Sequence, residues 1–257
     1  MNSRANVQQV DPAKTSQLAA QLAALFDQWC APSHQYSRVK AENFSGLDLA
    51  WYKRVTATLL GFGYQHVGDV QQQVQVPATE MPGFLRLVVS ADHHTVLTLS
   101  HTVQRHSLRL RTFLRTLSWD RGRYCLSLST SFNDGSFCCT STGPQLGDVE
   151  AGFTEQYLPP TLSVQVVLLR HKQLLSRCSR ERPELVPQRL EGLDDAIAAL
   201  NRAQAMQASA RRARGAFTEA ELWRLGYSPS RAKQLRAAMA RLRASLLSTE
   251  AAHKPAC

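Results

Sequence analysis

The spacing of apolar residues predicts two helices near the start of the chain. The first begins at Asp11-Pro12, which suits the cap and the first position of a helix, and it ends before Pro32. The second follows a loop that extends to about residue 45, and it ends at Gly61 and Gly63. The side chains that these helices are expected to bury are Leu18, Leu22, Leu25, Phe26 and Trp29 in the first, and Trp51, Val55, Leu59 and Phe62 in the second.

Apolar and polar residues then alternate, which is typical of antiparallel strands with one covered face. The predicted strands are 64–76, 84–90, 95–102, 107–117, 124–131 and 136–142. Between the last two, Asp134-Gly135 predicts a two-residue turn that pairs Phe132 with Phe137 and places Cys138 on the polar face. That face also carries Ser127, Ser129 and Ser131, so we expect one side of the sheet to be open.

A loop rich in glycine, proline and acidic residues is predicted for 143–160, followed by a strand or a helix at 162–167 and then a helix through Cys178. After Pro183 and Pro187 the pattern is helical to the end, with a capping box at Thr218-x-x-Glu221. The predicted fold class is α+β: a central antiparallel sheet with N-terminal helices packed on one face, and a C-terminal helical extension. We expect an α+β domain at 1–182 and a basic helical region at 183–257.

Charge is distributed unevenly along the 257 residues, whose formal net charge is +10. Residues 201–257 hold 11 basic and 3 acidic residues, a net charge of +8, whereas the first 200 residues have a net charge of only +2. This excess favours an acidic partner, with nucleic acid first and an acidic protein surface second. A solvated, arginine-rich helical tail would have the same composition without any such partner.

Two groups of basic residues are the candidate nucleic-acid contacts. In the predicted strand 107–117, arginines recur on one face and form a row with Arg105, at a spacing of about 7 Å that suits successive phosphates. In the last helix, three basic residues fall beside an apolar stripe and follow a short capped helix, as in a helix-turn-helix motif. The candidate residues are Arg105, Arg109, Arg111 and Arg115 in the row, and Lys233, Arg236 and Arg243 in the last helix. The ordinary alternative is a set of arginines that keeps an exposed face soluble.

No motif in the sequence predicts catalysis, a metal site or a cofactor. His94 and His101 would lie more than about 20 Å apart on one strand, too far for a shared metal ion. The cysteines include no C-x-x-C pair, and free thiols are expected. The catalytic residues are therefore unknown, and a non-enzymatic binding protein is favoured.

Two other functions remain open. A small-molecule-binding domain or an enzyme would have its pocket over the polar face, with Ser127, Ser129 and Ser131 as the floor. A structural component of an assembly would form an oligomer through the C-terminal helix, where Leu235, Met239, Leu242 and Leu246 have heptad-like spacing. No apolar run approaches the roughly 20 residues of a membrane span, and no secretory signal is evident, so we expect a cytoplasmic protein without membrane partners.

Overall fold

The computed structural model describes residues 12–30, 35–44, 46–73, 83–101, 124–145 and 147–252. The chain forms two compact units. The sheet unit is Pro32–Ala210, and the helical unit combines Met1–Ala31 with Arg211–Cys257. The boundaries between the two units follow Ala31 and Ala210, whereas the sequence predicted a boundary after residue 182. Because compactness is no test of independent folding, that boundary stays a prediction.

The seven strands of the described residues form one sheet in the order β1 to β7, and their bounds are Gln35–Arg38, Gln65–Gln73, Phe84–Val89, Thr95–His101, Tyr124–Ser131, Phe137–Ser141 and Phe153–Tyr157. Neighbouring strands are antiparallel except β6 and β7, which are parallel. The predicted α+β class with an antiparallel sheet is confirmed. Strands β1 and β7 were not predicted, and the predicted strand 107–117 lies outside the described residues.

One face of the sheet is covered by helix α2 (Leu49–Gly61) and helix α3 (Val164–Glu181). Tyr52 of α2 is fully buried and meets the ring of Phe84 edge to face, with 5.1 Å between the ring centroids. The remaining core of this face comes from α2, from alternate residues of β3, β4 and β5 and from the first turns of α3, and includes Val55, Leu59, Val88, Leu97, Leu99, Leu126, Leu128, Val167 and Leu168. Burial of this apolar surface is the main stabilising contribution to the unit.

Helix α4 (Leu193–Arg214) packs on the opposite face of the sheet, so the expectation of an open polar face is wrong. Its residues Leu193, Ala196 and Ala199 pack against the ends of β2, β3 and β4. Gly68 permits this close approach, since a Cβ atom at this position would lie 2.8 Å from the side chain of Leu193. The alternation of apolar and polar residues identified the polar residues of β5, but it could not show that a helix far away in the sequence covers them.

The hairpin between β5 and β6 also differs from the prediction, by one residue of register. Its loop has three residues rather than two, because Asp134 accepts hydrogen bonds from the backbone nitrogen and the hydroxyl of Ser136, at 2.8 and 2.6 Å. Gly135 then takes the left-handed conformation, with a φ of +83°. Thr130 therefore pairs with Cys138 instead of Cys139. A slip of one residue exchanges the two faces of a strand, so Cys138 is buried beneath α3 and the ring of Phe137 faces the other way.

The helical unit contains α1 (Pro12–Trp29), α5 (Glu219–Arg224) and α6 (Pro229–Ala252). Arg231 donates a hydrogen bond to Thr15, and Arg243 donates one to Asp27, twelve residues further along both helices. Because both contacts keep the same offset, α1 and α6 run parallel to each other. Phe26 of α1 meets Phe217 edge to face, with ring centroids 5.1 Å apart, and closes the core of this unit.

No described helix combines the length and the apolar character that crossing a bilayer would require.

Candidate nucleic-acid interface

Helix α6 has a buried face and an exposed basic face. Leu235 and Met239 are completely buried and belong to the core of the helical unit. On the other side of the helix Lys233, Arg236 and Arg241 are exposed, and we call these three residues the basic face of α6. The same side of the helix also carries exposed alanines at positions 237, 240 and 244, which are short enough to let another molecule approach the helix.

The three predicted residues of this helix have different surroundings. Lys233 is exposed, and Arg236 lies 3.8 Å from Glu219 in an ion pair whose partners are both about half exposed. Such a pair contributes about 0–1 kcal/mol, so Arg236 can exchange it for another anion. Arg243 instead donates to Asp27 at 2.9 Å, and its guanidinium lies 5.0 Å from the centroid of the Phe26 ring. These contacts stabilise the packing of α1 on α6, and the predicted part of Arg243 in nucleic-acid binding stays a prediction.

The predicted arginine row lies outside the described residues. Arg105, Arg109, Arg111 and Arg115 all fall within 102–123, and their part in binding stays a prediction.

The arginines at the end of α4 that belong to the helical unit also make internal contacts. Arg212 donates to the backbone oxygen of Cys30 at 2.6 Å, just beyond the last turn of α1. The guanidinium of Arg214 donates to both carboxylate oxygens of Glu221, at 2.8 and 3.0 Å. These two residues therefore stabilise the unit, and the charge of Arg214 is offset by that of Glu221.

We expect Glu221 to contribute strongly to the stability of α5. The predicted capping box is present: Thr218 and Glu221 each accept from the backbone of the other, and Glu221 is buried. Replacing Glu221 by alanine removes its half of the capping box and leaves Arg214 without its carboxylate, so we expect the free energy of unfolding to fall by about 2 kcal/mol. Replacement by glutamine retains the capping hydrogen bond and should cost about half as much. Urea denaturation followed by circular dichroism measures both.

The control for this prediction is Glu219→Ala, in the same turn of α5. Glu219 is exposed, and its one ion pair among the described residues is the 3.8 Å contact with Arg236, so its removal should change stability by less than about 0.5 kcal/mol. Equal losses for the two alanine variants would contradict the role given to Glu221.

The connection between α5 and α6 has the length of a helix-turn-helix turn. Helix α5 ends at Arg224, and α6 begins at Pro229. Trp223 is 64% exposed on α5, whereas its neighbours Leu222 and Leu225 are buried. Sequence analysis missed Trp223 and Arg241, although helical spacing could have found both. Trp223 is off the apolar stripe of α5, and Arg241 follows Lys233 by just over two helical turns.

The described histidines make structural contacts. His93 and His94 lie in the turn between β3 and β4, where their ring nitrogens are 3.1 and 3.3 Å from the backbone oxygens of Leu190 and Gln188. His101 stacks on the ring of Tyr124, with ring centroids 4.9 Å apart. His171 is buried between two threonine hydroxyls. In the described part of the chain, no three His, Cys, Asp or Glu side chains converge as metal ligands would.

Two residues of the heptad-like apolar stripe of α6 pack within the helical unit itself. Leu235 and Met239 are both completely buried in the helical unit. An oligomer formed through this helix stays a prediction, but these two side chains are not available to form it.

Known proteins identify no function for this chain: no family model matches it, and neither does any curated protein or solved structure.

Proposed function

We propose that this protein binds nucleic acid through the basic face of α6. The observation that carries the proposal is the composition of this helix: it has five basic residues between Pro229 and Thr249 and no acidic residue before Glu250. Three of the five, Lys233, Arg236 and Arg241, form the exposed face. An acidic protein surface is the second candidate partner, because the same charges would attract it.

The charge of the helical unit supports an anionic partner. Residues 1–31 and 211–257 hold 12 basic and 5 acidic residues, a net charge of +7, whereas residues 32–210 have a net charge of +3. Phosphates attract such a unit at long range, and the release of their counterions supplies binding free energy that is independent of nucleotide sequence.

The length of the basic face also suits a duplex. Lys233 and Arg241 are eight residues apart, which is about 12 Å along a helix at a rise of about 1.5 Å per residue. The major groove of B-DNA is about 12 Å wide and admits a helix, so side chains from this face would reach phosphates on the groove walls. Trp223 offers an exposed ring that can stack on an unpaired base.

The test is fluorescence anisotropy of labelled single- and double-stranded oligonucleotides, titrated with the full chain at several salt concentrations. We expect Lys233→Gln/Arg236→Gln/Arg241→Gln to weaken binding roughly tenfold or more. The plot of log affinity against log salt should become less steep by up to about 3, since each lost phosphate contact contributes about 0.9 to its slope. The variant retains the buried face of α6, so its melting temperature should change little.

A matched control removes three charges from the sheet unit. Arg170, Lys172 and Arg180 are exposed on α3, and their replacement by glutamine should change the affinity less than about twofold. Equal weakening by the two triple variants would show that net charge alone matters and would contradict an interface on α6. Absence of binding at low salt would refute the nucleic-acid proposal, and binding to polyglutamate alone would favour the acidic protein partner.

We also propose a cytoplasmic location. The described cysteines at positions 30, 125, 138, 139 and 178 are all free thiols, and the sulfur atoms of Cys138 and Cys178 are 3.4 Å apart without a bond. Reduced thiols are typical of proteins from a reducing compartment.

A further inference from the structure

The sheet unit contains a cleft of about 290 Å³ between the sheet and α4. Its floor is formed by neighbouring residues of β5, β6 and β7, since Ser129 pairs with Cys139 and Cys139 with Glu155. The next row consists of Ser127, Ser141 and Tyr157. Residues paired in register share a face of the sheet, so both rows point toward α4. This is the polar face for which the sequence predicted exposure.

Glu155 is the one charged residue among the described residues that line the cleft. Its carboxylate accepts a hydrogen bond from the Tyr157 hydroxyl at 2.6 Å and one from Nε2 of Gln207 at 3.3 Å. A carboxylate has about four acceptor positions, so two remain for a ligand. A phosphate or carboxylate ligand would meet this negative charge without any described lysine or arginine in the lining to offset it.

Gln204 of α4 also lines the cleft. Its Nε2 donates to the hydroxyl of Tyr36 at 2.8 Å, whereas its Oε1 is buried and has no hydrogen-bond partner among the described residues. A buried acceptor without a partner costs about 1–3 kcal/mol, and native structures contain few of them. One N–H of each of these amides already has a partner, since Gln204 donates to Tyr36 and Gln207 donates to Glu155, and Glu155 is the charged acceptor in the lining of the cleft.

The remaining wall is apolar. Phe153 of β7 stacks on Phe137, and Leu200 and Ala203 of α4 lie across the cleft. At about 30 Å³ per water-sized group, the cleft holds a molecule of roughly ten non-hydrogen atoms. Burial raises the pKa of the Cys139 thiol to about 12. It stays protonated at neutral pH, which favours reversible binding over attack by this cysteine on the ligand.

We propose that this cleft binds a small organic ammonium ion. Its N–H groups donate to the carboxylate of Glu155, and its apolar body lies against Phe153, Leu200 and Ala203. The charged hydrogen bonds select an amine over a neutral alcohol, and the negative charge of Glu155 rejects a carboxylate. This site is separate from the basic face of α6, so each proposal can fail without the other.

Three probes of matched shape test this selectivity: phenethylamine, 2-phenylethanol and phenylacetate, titrated against the full chain and followed by calorimetry and amide chemical shifts. We expect phenethylamine to bind roughly tenfold more tightly than the alcohol, and phenylacetate not to bind. The shifts should be concentrated in β7 and in α4. Equal affinities for the three probes, or no binding of the amine, would overturn the proposal.

Two variants assign the binding to this cleft. Glu155→Gln should weaken phenethylamine roughly tenfold and remove its preference over the alcohol, whereas Glu184→Gln changes an exposed carboxylate of the same unit and should have no effect. Ala203→Phe fills the cleft without altering its floor, and should abolish binding of both the amine and the alcohol. It also serves as the test if Glu155→Gln does not fold. Amine binding that survives Ala203→Phe would overturn the assignment.

Discussion

Replacing Asp69 by alanine is expected to lower the free energy of unfolding of the sheet unit by about 3–5 kcal/mol, because it leaves a buried guanidinium without its carboxylate. Asp69 of β2 lies directly opposite Arg86 of β3. Two parallel hydrogen bonds of 2.7 Å join the two side chains, which are only 10% and 13% exposed. The guanidinium also lies 5.4 Å from the centroid of the Tyr52 ring.

The pair forms part of the packing of α2 on the sheet. Arg86 also reaches the hydroxyl of Thr56 at 3.5 Å, and Nε2 of His66 lies 3.1 Å from the carboxylate of Asp69. Burial by itself would raise the pKa of Asp69, but the hydrogen bonds from Arg86 and His66 outweigh it and hold this pKa below its usual value. The carboxylate is therefore charged at neutral pH, and Arg86 depends on it for neutralisation.

The matched control is Asp194→Ala. Asp194 makes a hydrogen bond of 3.0 Å with Arg38, but the two side chains are 85% and 69% exposed. Water screens this pair, so its loss should cost less than about 1 kcal/mol. Urea denaturation followed by circular dichroism compares the variants. Similar losses for Asp69→Ala and Asp194→Ala would contradict the prediction. The double variant Asp69→Leu/Arg86→Met should be more stable than Asp69→Ala, since it leaves no buried charge.

Acid is expected to destabilise the sheet unit through His171. This side chain is buried on α3, with Nδ1 at 3.0 Å from the hydroxyl of Thr140 and Nε2 at 3.2 Å from that of Thr130. The hydroxyl of Thr130 is in turn 2.8 Å from that of Thr95. Burial lowers the pKa of His171 from 6.5 to about 4. The neutral ring satisfies this chain of hydroxyls, whereas a charged ring would be poorly solvated there.

The direction of the pH effect follows from proton uptake. In the unfolded chain His171 binds a proton below about pH 6.5, but in the folded protein it does so only near pH 4. The stability that the neutral His171 ring contributes is therefore fully present above about pH 6.5, and it is lost as the pH falls from 6.5 to about 4. A pKa difference of this size corresponds to about 3 kcal/mol.

The measurement is the free energy of unfolding at several pH values between 4 and 7 for the wild type and for His171→Gln, which does not titrate. The variant is expected to be less stable at pH 7, and the difference between the two proteins should shrink by about 3 kcal/mol toward pH 4. Parallel pH profiles would contradict the assignment. An NMR titration of the His171 ring provides an independent check, because its midpoint should lie near 4 rather than near 6.5.

Sequence periodicity determined most of the helices and the central strands. The helical spacing around Trp51, Val55 and Leu59 and the alternation in β3, β4 and β5 correspond to elements of the structure. These features are local, because an element with one buried face must repeat its apolar residues at its own period. The capping box of Thr218 and Glu221 was predictable for the same reason, since both partners lie within one turn.

Tertiary structure decided which faces are covered and which polar residues meet. Strand β7 escaped prediction because Phe153–Tyr157 is short and carries Glu155 among its residues. The side chain of Asp134 set the hairpin register, which decided that Cys138 rather than Cys139 is buried beneath α3. The cleft needs β5, β7 and α4, whose residues are up to 80 positions apart in the sequence. Local periodicity contains no information about such pairings, because they depend on which apolar surfaces find each other when the chain folds.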